Sequence, residues 1–112
     1  MNRKITHQRR VRIHWLLASA LLLPAAQAQA NVALATKSGC TACHAMSSKV
    51  MGPAFRDIAE KYAGQNEAVN TLSQNIRDGG SGRWGTLPMP PQSQLSATTV
   101  KALATWIATG AK

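Results

Sequence analysis

Between Asn31 and Lys112 apolar residues recur at helical spacing in four stretches, and no stretch alternates as a strand does. Asn31 is placed to cap a first short helix running to Ser38, carrying Val32, Leu34 and Ala35, with Gly39 as its stop. Phe55, Ile58, Ala59 and Tyr62 make one face of a second helix, and Gly64 follows as its terminator. Asn66 and Glu67 open a third, with Val69, Leu72 and Ile76 inward. Ser96 caps a fourth, where Val100, Leu103, Ala104 and Ile107 form a stripe that Gly110 ends. The pattern predicts an all-α domain of four short helices.

The third and fourth helices are separated by residues 79–94, a stretch too rich in glycine and proline for regular structure. A loop of that length in so small a domain is uncommon unless it has work to do. Its tip reads Leu87-Pro88-Met89-Pro90-Pro91, and the prolines on either side stiffen the backbone around Met89. Such a setting suits a thioether that must be held in one place.

Ahead of Asn31 the composition changes. Arg3, Lys4, Arg9, Arg10 and Arg12 precede a short apolar run from Trp15 to Leu23, and Pro24 leads to Ala28-Gln29-Ala30, a small-x-small cleavage pattern. The apolar run is about half the roughly 20 residues a membrane span needs. Residues 1–30 are therefore expected to be a cleaved secretory signal, and residues 31–112 the working domain, with no membrane anchor after cleavage. The formal charge of +9 overstates the basicity of that domain, which keeps eight Lys and Arg against four Asp and Glu. These basic residues are scattered singly rather than striped, which argues against nucleic-acid binding. A domain this small gains only marginal stability from its apolar core, so a further stabilising element is expected.

That element is announced by Cys40-Thr41-Ala42-Cys43-His44, the attachment signature of a c-type haem. Each thiol can add across one haem vinyl group, and the histidine can bind the iron from one face. A thioredoxin-like dithiol needs a preceding strand, and none is indicated before Cys40. Zinc is one ligand short, because the other histidines, His7 and His14, fall in the expected signal. A disulfide between residues three apart closes too small a loop to hold a domain together.

Ligand arithmetic then narrows the sixth iron position. With the signal removed His44 is the only histidine, leaving Met46, Met51, Met89, a lysine or nothing. Met46 is too close in sequence to His44 to reach the opposite face. Met51 precedes the Gly52-Pro53 turn, on the segment expected to cover the histidine side. Met89, on the long stiffened loop, can wrap to the far side and is taken as the ligand.

Cys40-Thr41-Ala42-Cys43-His44, the run from Lys49 to Phe55, Tyr62-Ala63-Gly64-Gln65, Gly82-Arg83-Trp84-Gly85 and Pro88-Met89-Pro90-Pro91 together resemble the small bacterial class I cytochromes c of the cytochrome c-551 group. The similarity runs in order and spacing over nearly all of residues 31–112. It implies four helices wrapped around one covalent haem c, with Cys40 and Cys43 as thioether attachments and His44 and Met89 as axial ligands. It also implies that the Pro53 carbonyl accepts a hydrogen bond from the non-ligating ring N–H of His44, and that Trp84 donates its indole N–H to a haem propionate. Two positions depart from the group: Asn75 stands where many members carry a propionate-pairing arginine, and Ala35 where an aromatic often packs on the last helix. Gln92 is placed to hydrogen-bond the Met89 sulfur where relatives use asparagine.

The function expected is that of a monomeric periplasmic electron carrier in a respiratory chain, not an enzyme. Methionine ligation saturates the iron and, by favouring the ferrous state, raises the reduction potential. Val50, Met51, Leu87, Pro90 and Pro91 are candidates for an apolar rim at the haem edge, suited to transient docking of a redox partner. A cytochrome bc1 complex, a nitrite reductase, a terminal oxidase or a peroxidase could be that partner. The alternative is an open-site c-type haem protein that binds a small ligand or acts as a peroxidase.

Overall fold

The four apolar stripes become four helices in the computed structural model, which describes residues 30–112. The expected signal, residues 1–30, thus lies outside the described residues except for Ala30, which packs partly against the core. Helix α1 spans Val32–Lys37, α2 Phe55–Tyr62, α3 Ala68–Asp78 and α4 Ala97–Ala108, and a single 3₁₀ turn, Cys40–Ala42, follows α1. Among the described residues there is no strand, and no helix is long and apolar enough to cross a membrane.

Each helix end is closed by different chemistry. Asn31 caps α1 through its side-chain oxygen, which accepts the Leu34 N–H at 3.1 Å, and Gly39 leaves the helix at φ 80°. Ser96 does the same for α4, accepting the Thr99 N–H at 3.1 Å. Replacing Ser96 with alanine is expected to cost about 1 kcal/mol in a denaturant titration, because this N–H loses its acceptor at the exposed start of the longest helix. Helix α2 has no side-chain cap. Its first N–H groups, on Phe55 and Arg56, instead bond the carbonyls of Ala45 at 2.9 Å and Met46 at 3.1 Å. The segment leaving the C-x-x-C-H motif is thereby welded to the start of α2.

The opening of α3 differs from expectation. Asn66 lies before the helix, and Glu67 occupies the cap position without bonding the backbone, its carboxylate accepting the Asn70 amide at 2.7 Å instead. Val32, at the start of α1, is 44 % exposed. A helix of six residues offers only one full core position, and Ala35 takes it.

The core lies where α3 and α2 pack against α4, with the larger interface between α3 and α4. Leu72 and Ile76 of α3, Ile58 and Tyr62 of α2, and Val100, Leu103 and Ile107 of α4 are all buried. Trp106, on the same helix, is buried too, packed against Phe55 with ring centroids 5.0 Å apart and planes inclined at 58°, and donating its indole N–H to the Lys112 carbonyl at 3.0 Å. That bond folds the C-terminus back over the core. Burying a side chain of this kind contributes about 1.5–3 kcal/mol. One side of this small core is left open, and the next section concerns that side.

Candidate haem site

A cavity of about 880 Å³ opens between the segment following the C-x-x-C-H motif and the loop joining α3 to α4. Its floor is the inner face of the core, Ile58, Leu72, Ile76, Leu103 and Ile107. Cys40, Cys43, His44, Pro53, Trp84 and Met89 all line it, so the six sequence-predicted site residues are brought together around one space. Cys40 and Cys43 are free thiols. Burial pushes the Cys40 thiol above its ordinary pKa range, an effect its backbone hydrogen bond partly opposes.

The orientation of His44 is set by two contacts. Its Nδ1 lies 2.7 Å from the Pro53 carbonyl. A carbonyl can only accept, so Nδ1 carries the proton and Nε2 is left with its lone pair free. The ring, only 9 % exposed, stacks at 5.3 Å on Phe55, which in turn meets Trp106. The histidine is thus tied through two aromatic rings to α4. Neither aromatic is marked by the sequence as a support for His44, although Phe55 lies just beyond the Gly52-Pro53 turn, after Ala54.

Gly52 makes room for that arrangement. Its N–H bonds the Cys43 carbonyl at 2.8 Å, drawing the chain flat against the imidazole. A Cβ added there would stand 2.5 Å from His44 Cε1 and 2.8 Å from Nδ1. Replacing Gly52 with alanine is therefore expected to tilt the ring and break its bond to Pro53. The loss should appear as a raised reduction potential and an altered imidazole resonance in the NMR spectrum of the haem-loaded protein, since the Pro53 bond raises the basicity of a ligating histidine and a more basic ligand favours the ferric state.

Met89 faces the cavity from the opposite loop, and its backbone is held on both sides. Gly80 N–H bonds the Met89 carbonyl at 2.9 Å and Met89 N–H bonds the Gly80 carbonyl at 2.8 Å, an isolated antiparallel bridge. The loop expected to be irregular throughout therefore closes on itself at the methionine. Its exit is tied down as well, by the Gln92 N–H to the Ile76 carbonyl at 3.1 Å. Met51, the competing thioether, is 55 % exposed on the segment that covers His44.

Gln92, Asn75 and Trp84 make the following contacts. Gln92 does not bond the Met89 sulfur: its amide donates to the Pro90 carbonyl at 2.9 Å and its oxygen accepts from Gln94 at 2.8 Å. With Pro90 and Pro91 between them, the chain turns the Gln92 amide back along its own loop. Asn75 donates to the Tyr62 hydroxyl at 3.2 Å, a neutral contact across α2 and α3. Trp84 is 37 % exposed, its indole N–H has no acceptor among the described residues, and Lys61 Nζ sits 4.5 Å over its ring.

Residues and group fit each other. The cavity is apolar within, has two thiols at its mouth, a histidine with a free Nε2 on one wall and a thioether on the other. These are the donors a covalently attached iron porphyrin requires. Zinc is not served by them, since among the described residues no three His, Cys, Asp or Glu side chains converge on one point.

Comparison with known proteins agrees with this fit. The family model described as Cytochrome c matches residues 28–111. Cytochrome c-552 of Nitrosomonas europaea is 48 % identical over 97 residues, covering 85 % of this chain and 94 % of that protein. Cytochrome c-551 of Allochromatium vinosum is 46 % identical over 83 residues, or 74 % of this chain and 88 % of that one. The crystal structure of wild-type Nitrosomonas europaea cytochrome c552 superposes with a TM-score of 0.69 at 48 % identity, covering 71 % of this chain and 99 % of the other.

Proposed function

The chain belongs to the cytochrome c family, carries one covalent haem c as an electron carrier rather than an enzyme, and on that premise we propose that it shuttles electrons in the periplasm with His44 and Met89 as axial ligands. The haem supplies a one-electron couple when bound. The chain's own residues do the rest. Cys40 and Cys43 anchor the group at the mouth of the cavity. Pro53 holds the proton on His44 Nδ1 and so presents Nε2 as the donor on one wall. The Gly80–Met89 bridge and the flanking prolines hold the backbone of the residue that would supply the thioether on the other. A neutral sulfur favours the ferrous state and raises the potential.

The observation that supports this reading best is the convergence of Cys40, Cys43, His44 and Met89 on one apolar cavity from elements far apart in the chain. Residues 1–30 act in this proposal as the export signal that delivers residues 31–112 to the periplasm. Exposed Val50, Met51 and Leu87 at the cavity mouth, with Pro90 and Pro91 beside them, form the apolar rim for a transient redox partner. A cytochrome bc1 complex, nitrite reductase, terminal oxidase or peroxidase is such a partner.

The test is the optical spectrum of the exported protein in both oxidation states. A low-spin ferric spectrum with the long-wavelength sulfur-to-iron band is expected, together with no binding of cyanide at concentrations that saturate open-site haem proteins. A high-spin spectrum and ready cyanide binding would instead establish the open-site alternative.

A further inference from the structure

Two charged side chains line the cavity, Lys49 and Arg83, and both are cationic; no Asp or Glu lines it. They sit on different walls. Lys49 belongs to the segment that covers His44, whereas Arg83 belongs to the α3–α4 loop, next to Trp84. Around Arg83 the donors accumulate. Its Nη2 reaches the Gly79 carbonyl only at 3.4 Å, a weak bond that leaves most of the five guanidinium N–H groups uncommitted. Trp84 presents an indole N–H without an acceptor among the described residues, and Lys61 leans over the indole from α2. Lys61 also donates to the Arg83 carbonyl at 3.2 Å, which fastens this stretch of loop to α2. Asn75, which faces the same cavity from α3, is uncharged and committed to Tyr62.

A cluster of two cations and a free indole N–H on the rim of an apolar cavity calls for an anion of the occupant. The porphyrin offers one, since its periphery bears carboxylates. We propose that Arg83 is the residue that pairs with a haem carboxylate in this protein, with Trp84 as a second donor and Lys61 holding both in place. The inference rests on the haem reading above and adds to it which side chain sets the charge around the group. Arg83 would bond the carboxylate and not the iron, which it influences by its charge, and it is a positioning residue. A guanidinium suits the task because it stays charged and presents parallel N–H groups to a carboxylate.

The sign of its effect follows from Coulomb attraction. A fixed cation near the haem disfavours the additional positive charge of ferric iron, and by neutralising the carboxylate it removes an anion that would stabilise that charge. It also keeps the carboxylate ionised to lower pH. The groups that would surround a carboxylate held by Arg83 are Trp84 from the loop, Lys61 and Tyr62 from α2, and Asn75 from α3; Lys49 belongs to the segment that covers His44.

The experiment is a redox titration of the intact haem-loaded protein across pH, comparing the parent with Arg83→Gln and Arg83→Lys. Arg83→Gln is expected to keep the covalent haem and the parent's ferric spectrum, to lower the potential at neutral pH, and to move the pH-dependent part of the potential curve to higher pH. Arg83→Lys, which retains the charge, is expected to stay close to the parent curve. Superimposable curves for Arg83→Gln and the parent would overturn the proposal. So would an equal displacement by both variants, since the loop geometry around Gly79 rather than the charge would then be responsible. Failure of the haem reading is distinguishable, because the parent itself would then carry no covalent haem or lack the sulfur-to-iron band.

Discussion

Replacing Met89 with alanine is expected to leave the haem attached and to abolish electron carriage at the native potential. Thioether bonds to Cys40 and Cys43 do not depend on the sixth ligand, and the His44 ring keeps its bond to Pro53 and its stack on Phe55. Only the opposite wall changes. The open coordination site should accept imidazole or cyanide, the long-wavelength sulfur band of the ferric spectrum should vanish, and the potential should fall because the sulfur that favoured ferrous iron is gone. Stability should fall as well, since residues 79–94 would lose one tether and keep the Gly80 bridge, the Gln92 bond and the Lys61 bond to the Arg83 carbonyl. Optical titration with imidazole and a redox titration check both effects. A variant indistinguishable from the parent would hand the ligand role to Met51 or a lysine.

Replacing Gly79 with alanine is expected to reproduce much of that phenotype with Met89 still present. Gly79 terminates α3 at φ 65°, ψ −150°, a region open to glycine and strained for any other residue, at a cost of about 1–3 kcal/mol. Steric conflict adds to this. A Cβ at this buried position would run into the Met89 carbonyl and stand 2.8 Å from both Pro90 C and Pro91 N. All three are backbone atoms of a proline-stiffened segment, which cannot yield as the end of a flexible side chain would. The loop must therefore move away from α3, carrying Met89 with it and opening the Gly80–Met89 bridge. A weakened sulfur band, partial cyanide binding and a lower thermal midpoint are the expected readouts. An alanine variant with full methionine ligation would show that the loop has more freedom than its packing suggests.

The two substitutions differ in how visible they were beforehand. Met89 could be singled out from ligand arithmetic, because few side chains bind iron and His44 was the only histidine outside the expected signal. Gly79 looked like any other glycine of a flexible loop. Its importance comes from the carbonyl of a residue ten positions later, a proximity that no local pattern encodes.

What the sequence alone determined was whatever depends on near neighbours along the chain. Helical spacing of apolar residues located α2 and α4, Asn31 and Ser96 announced the caps of α1 and α4, and the C-x-x-C-H spacing named the cofactor, because each of these signals is complete within one or two turns. Tertiary structure decided the rest. It capped α2 with carbonyls from the haem-motif segment, propped His44 on Phe55 and Trp106, turned Gln92 away from the methionine, and assembled Arg83, Trp84 and Lys61 on one rim. These contacts join residues distant in sequence, and their geometry follows from how four short helices leave one side of a small core open, which only packing in three dimensions can settle.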